Sequence, residues 1–84
     1  MEEEKEIGTV SGYFGHVNVA AIKLSAPLTV GDRIRIKGST TDFELDVEEI
    51  QIEREPVEKA KKGDHVGLKV PEKVRPNDKV FLID

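Results

Sequence analysis

The sequence predicts an all-β domain, and three observations predict it. Apolar residues recur at every second position in short runs, turn-forming residues separate the runs, and no stretch has the length and period of a stable helix. The chain has 84 residues, enough for one domain. A domain of this size buries only about 60% of its unfolded surface, so its core is small. Residues 1–6 read as an acidic flexible end and residues 7–84 as the single domain.

The first run, Ile7 to Tyr13, carries Gly8 and Gly12, which mark a bend or a close backbone approach within a strand. His16 to Leu24 follows with Val17, Val19, Ile22 and Leu24; its apolar phase slips by one at Ala20 and Ala21, which predicts a bulge or a crowded crossing there. Pro27 and the Gly31-Asp32 pair make residues 25–32 a connecting loop. Arg33 to Lys37 alternates cleanly, with Ile34 and Ile36 inward and three cations outward. Gly38-Ser39-Thr40-Thr41 predicts a hairpin turn.

The return strand is expected from Asp42 to about Glu55. Its apolar residues change from odd positions (Phe43, Leu45, Val47) to even ones (Ile50, Ile52), so a bulge is predicted near Glu48 and Glu49. Residues 56–63 have helical punctuation, with Pro56 at the start and Gly63 at the end, and predict a turn or a single helical turn. His65 to Val70 alternates again with Val66, Leu68 and Val70 inward; Pro76-Asn77-Asp78 is a turn, and Lys79 to Ile83 is the closing strand. About six strands without a covering helix bury their apolar faces best in a closed barrel, which also removes exposed edges; an open sandwich is the alternative.

Composition narrows the function. Hydrophobic residues make up 37% of the chain, and cysteine is absent, which removes disulfides, thiolate nucleophiles and zinc–thiolate sites and suits a cytoplasmic protein. No secretory leader or membrane-spanning run is present in the sequence. Charged residues reach 36%, rich in Glu and Lys, a balance met in the ion-pair networks of thermophile proteins. No phosphate-binding loop or dinucleotide fingerprint occurs, so no nucleotide and no cofactor is expected. His16 and His65 lack metal-ligand spacing, and Ser11, Ser25 and Ser39 lack the setting of a nucleophile, so no catalytic or metal site is assigned.

The net charge of −4 means that any RNA contact needs a local basic patch. Arg33, Arg35 and Lys37 form one stripe, but across the hairpin they should meet Glu44, Asp46 and Glu48 and be neutralised in the ladder. The final third of the chain is locally basic. Lys59, Lys61, Lys62, His65, Lys69, Lys73 and Arg75 are therefore the candidate partner-binding residues, and RNA is the partner their charge favours. Tyr13 and Phe14, beside Gly12 and Gly15, are the aromatics best placed for base stacking, with core packing as the alternative.

Three blocks, in order, resemble the second domain of translational GTPases such as elongation factor Tu. Leu28-Thr29-Val30-Gly31-Asp32 followed by the alternating strand to Gly38 resembles one segment, Ala60-Lys61-Lys62-Gly63-Asp64-His65-Val66-Gly67-Leu68 a second, and Gly8-Thr9-Val10 the opening. Translation elongation factor-like proteins share this layout, and so does a barrel appended to some U32-family peptidases. The resemblance implies a six-stranded closed Greek-key barrel of the translation-factor domain 2 type, with Gly31, Asp32, Gly63, Asp64, Val66, Gly67 and Leu68 as structural positions. It implies a non-catalytic module contacting RNA, tRNA or a translation-related protein. The alternative is a protein-interaction or accessory domain acting with a separately encoded enzyme such as a U32-type peptidase. No GTPase domain is expected within these residues, so GTP hydrolysis does not carry over, and Pro71-Glu72 in place of the Arg-Gly of the factors after Val70 leaves the carry-over of their tRNA-end pocket open.

Overall fold

Alternation becomes sheet along most of the chain. The computed structural model describes residues 4–83, and all of its regular elements are strands: β1 (Glu4–Phe14), β2 (Val19–Leu24), β3 (Leu28–Thr29), β4 (Arg33–Lys37), β5 (Asp42–Asp46), β6 (Ile50–Ile52), β7 (Glu55–Val57), β8 (Lys59–Ala60), β9 (His65–Lys69) and β10 (Lys79–Ile83). Eight of them form one sheet in the order β5-β4-β10-β1-β2-β9-β6-β7, and β3 pairs with β8 in a separate two-stranded ribbon. Every pairing is antiparallel.

One face of the sheet is buried. Ile22, Leu28, Ile34, Ile36, Ile50 and Val80 are wholly enclosed, and each comes from an inward position of its strand. The long β1 holds the sheet together: its first half pairs with β10 and its second with β2. Its beginning precedes the predicted start at Ile7, since Glu4 to Glu6 pair with Ile83 to Phe81. The remainder of the acidic end, residues 1–3, lies outside the described residues.

Bulges fall on β1 rather than β2. The register with β2 shifts between Val10 and Gly12, and that with β10 between Glu6 and Gly8. Ser11 is the extra residue opposite the step from Ile22 to Ala21, and its hydroxyl donates to the Ala21 carbonyl at 3.2 Å. The phase slip in β2 has another cause: Ala20, Ile22 and Leu24 point inward, whereas Val17 and Val19 belong to the outer surface.

The expected strand from Asp42 to Glu55 is broken, not bulged. β5 ends at Asp46, and the next three residues carry the chain from one edge of the sheet to the other side, where β6 begins at Ile50. Buried Val47 fixes this crossing, since its carbonyl accepts from the Gly31 amide and its amide donates to the Asp32 carbonyl, both at 2.8 Å. That crossing changes the apolar parity. Residues 56–63 form no helical turn: Pro56 sits in the edge strand β7 opposite Gln51, where a missing N–H interrupts no inner ladder. Lys59 and Ala60 pair with Thr29 and Leu28, making a strand of part of the predicted loop.

Three strands start from one repeated turn. In Thr29-Val30-Gly31-Asp32, Lys61-Lys62-Gly63-Asp64 and Arg75-Pro76-Asn77-Asp78, the aspartate amide donates to the carbonyl of the first residue. Its carboxylate accepts from the first residue's amide at 2.9 to 3.0 Å. The third residue has a positive φ each time, 102° at Gly31, 93° at Gly63 and 76° at Asn77, which selects Gly or Asn there. The quoted Gly-Asp blocks are thus turn chemistry that launches β4 and β9, and Asn77-Asp78 does the same for β10.

Candidate partner-binding groove

The outer surface divides into two unlike halves. Over β5, β4, β10 and β1 the alternating charges close on each other. Arg33 pairs with Glu44 at 3.1 Å and Asp46 at 2.9 Å, and Arg35 with Glu4, Asp42 and Glu44. The register places Arg33 opposite Asp46, Arg35 opposite Glu44 and Lys37 opposite Asp42. The predicted neutralisation is therefore present for Arg33 and Arg35; Asp42 takes the place expected for Glu48 opposite Lys37, but its carboxylate pairs with Arg35. Hydrogen bonding to Glu44 raises the Arg33 pKa, and hydrogen bonding to Glu4 raises that of Arg35. For a raised base, the linked stability is complete below the unfolded pKa and is lost only as pH climbs through the folded one. Both arginines therefore stabilise fully at neutral pH and lose that contribution only in strong alkali.

The other half is built differently. The outer side of β2, β9 and β6, with the turn after β1, forms an open groove of about 980 Å³. Val19 and Ala21 come from β2; His65, Gly67 and Lys69 from β9; Gln51 from β6. Alternation sets this face, because Ala20, Ile22, Val66, Leu68 and Ile50 take the inward positions. In the middle of the groove Ala21 lies opposite Gly67 and Gly67 opposite Gln51, so the floor is low there, with the Val19 side chain standing over Gly67.

Phe14 and Val17 rise at one end of that floor, 52% and 46% exposed, the most exposed large apolar side chains of the described residues. The turn that carries them is pinned. The Val17 amide donates to the Phe14 carbonyl at 3.2 Å, the Tyr13 hydroxyl to Asn18 Oδ1 at 3.1 Å, and the Val70 amide to the Asn18 carbonyl at 2.9 Å. Asn18 takes a positive φ of 57°, a conformation that asparagine tolerates. At the far rim, Glu53 and Arg54 form a two-residue hairpin between Ile52 and Glu55, with φ of 52° and 67°. Two carboxylates, Glu49 and Glu53, and two cations, Arg54 and Lys69, border the groove and cancel in formal charge; His16 and His65 complete its polar lining.

The seven basic candidates are all exposed, but they do not make one patch. His65 and Lys69 line the groove, and Lys73 and Arg75 line a second hollow of about 570 Å³ with Tyr13, Val74 and Pro76. Lys59 in β8 and Lys61 and Lys62 in the turn before β9 line neither. The two aromatics proposed for stacking are separated in the same way: Phe14 lines the groove and Tyr13 the second hollow. Like Ala21, Gln51 and the rim residues Glu49, Glu53 and Arg54, Val17 and Val19 are groove residues that the sequence pattern does not single out. Their signal was the phase slip itself, since they are out of register with Ile22 and Leu24. Among the described residues no three His, Cys, Asp or Glu side chains stand together as a metal site. No helix of the described residues is long and apolar enough to cross a membrane.

Comparison with known proteins gives this geometry a context. No family model matches the chain. A protein of Porphyromonas gingivalis named collagenase is 42% identical over 80 residues, 93% of this chain and 22% of that protein. An uncharacterized protease of Methanocaldococcus jannaschii is 44% identical over 79 residues, again 93% of this chain and 19% of that protein. The chain thus spans about a fifth of the length of these relatives. Among solved structures, the C-terminal domain of a U32 peptidase from Geobacillus thermoleovorans superposes with a TM-score of 0.86 at 22% identity, covering 90% of this chain and 96% of that one. The fold is that of a U32 peptidase C-terminal domain. A second crystal structure of that domain gives a TM-score of 0.85. The peptidase-associated barrel named beside the translation factors is the part of the resemblance that these relatives support. The translation-factor part finds no support in them.

Proposed function

We propose that this chain is a non-catalytic accessory domain that works with a U32-type peptidase unit. The carrying observation is the combination of 42–44% identity along 93% of the chain with only a fifth of two relatives named collagenase and protease. In such proteins most of the polypeptide, and room for the catalytic chemistry, lies outside the matched segment. Nothing in the groove offers a nucleophile with a base and an orienting partner, which supports a binding role. Absence of cysteine is in keeping with work in the cytoplasm.

The same reading treats the curled sheet as a six-stranded Greek-key barrel whose seam is filled by the small ribbon. Two backbone bonds support it: the Val30 amide donates to the Glu58 carbonyl and the Gly31 amide to the Val47 carbonyl, each at 2.8 Å. Residues next to the two sheet edges are thereby tied through one loop.

The experiment is a calorimetric titration of this chain into the peptidase portion of the Methanocaldococcus jannaschii relative, with peptide release from casein followed in parallel. A defined complex, and no peptide release by the chain alone, is the expected result. Peptide release by the chain alone, or no complex, contradicts the proposal.

A further inference from the structure

The groove over β2, β9 and β6 gathers the two most exposed large apolar side chains of the described residues, Phe14 and Val17. Its four permanent charges cancel, as two carboxylates stand against two cations. A phosphate backbone needs a net positive track, and this groove has none. An apolar floor with balanced charges at its rim suits a protein surface that is apolar at its centre and carries both signs at its edge.

Rigidity points the same way. Phe14 and Val17 sit on a turn closed by three hydrogen bonds, so little backbone freedom is lost when their side chains are covered. The short residues Ala21 and Gly67 keep the floor low between Val19, which stands over Gly67, and the Phe14–Val17 turn, a shallow depression that apolar side chains of a partner can cover. From these observations we infer that the Phe14–Val17 groove is the docking face for the peptidase unit. This face would meet an apolar patch there, with an acidic group of the partner near Lys69 or Arg54 and a basic one near Glu49 or Glu53. The inference rests on the proposed function and gives that association a location. The basic residues 59–62 and the hollow at Lys73 and Arg75 stay outside the contact.

The test compares the full chain with Val17→Asp, Phe14→Ser and a control on the opposite half, Glu44→Gln, each titrated into the same peptidase portion at low and high salt. Val17 and Phe14 are exposed, so thermal midpoints close to that of the parent chain establish that the variants fold. Val17→Asp is expected to weaken binding by about tenfold or more, Phe14→Ser by a similar factor, and Glu44→Gln not at all. Parent affinity should change less than about threefold between 50 mM and 200 mM salt, whereas a phosphate track would lose orders of magnitude. Tight binding untouched by both groove variants overturns the inference and leaves the accessory role standing. No binding by the parent chain overturns both. Loss of affinity with salt, together with retention of tRNA, assigns the surface to nucleic acid instead.

Discussion

The two outer halves of the sheet start from the same alternating pattern and end in opposite states. Over β4 and β5, outward positions alternate cation against anion, and Arg33 and Arg35 find four carboxylates within reach. Over β2 and β9 the outward positions are Val19, Ala21, Lys23, His65, Gly67 and Lys69, short or unpaired in most places. A half that satisfies its own charges gives a partner little to gain. A half that leaves Phe14 and Val17 bare gains from being covered. On the proposed function, the contrast marks the self-paired half as solvent-facing and the bare half as the one for recognition, without reference to overall charge.

Both halves rest on one interior, so the largest effects should strike them together. Ile22→Ala under the groove and Ile36→Ala under the ion pairs remove wholly buried side chains. Each should cost about 2 to 5 kcal/mol in denaturant unfolding. Hydrogen exchange should quicken in both halves for either variant; quickening confined to one half would mean two separable units.

Next in size is Gly38→Ala. A Cβ at Gly38 would collide with the Asp78 carboxylate, which is buried and holds the turn that launches β10. Displacing it should cost about 1 to 3 kcal/mol, read as a lowered urea midpoint. An unchanged midpoint would show that the Asp78 turn is dispensable.

A smaller gain is expected at the groove rim. Replacing Glu53 by Asn and Arg54 by Gly relieves two left-handed residues in a tight hairpin and should add about 1 kcal/mol. Because one charge of each sign is removed, groove binding should change little. A large loss of binding would make the rim charges, not the apolar floor, the source of affinity.

The smallest effect belongs to Arg35→Met. It cuts the links to Glu4, Asp42 and Glu44 on a solvent-facing surface, so the thermal midpoint should fall slightly at low salt and hardly at all at 1 M salt. Binding through the groove should be unaffected.

Much of the fold was legible because alternation is a local signal. Arg33 to Lys37, His65 to Val70, Lys79 to Ile83 and the turn at Gly38 to Thr41 lie where the pattern puts them, and the cations of β4 meet the acids of β5 as charge matching requires. The misses occur where a residue answers to something distant in sequence. Val47 leaves one sheet edge because Gly31 and Asp32 hold its backbone, and Lys59 and Ala60 become a strand because Leu28 and Thr29 lie beside them. The site was less legible. Counting cations along the chain groups Lys59 to Arg75, but folding sends them to three separate places. Val17 and Val19 look like interior because alternation reports which residues share a face and not which face is covered.

The central claim is that the bare half of the sheet is where this domain meets a peptidase unit. Backbone amide NMR of the isotopically labelled chain, recorded while the unlabelled peptidase portion of the Methanocaldococcus jannaschii relative is added, tests it residue by residue. Shifts or broadening at Phe14 to Val19, Ala21, Gln51 and Gly67, with Arg33 to Asp46 unmoved, is the predicted outcome. Changes centred on Arg33 to Asp46 or on Lys59 to Lys62, with the groove silent, would contradict it.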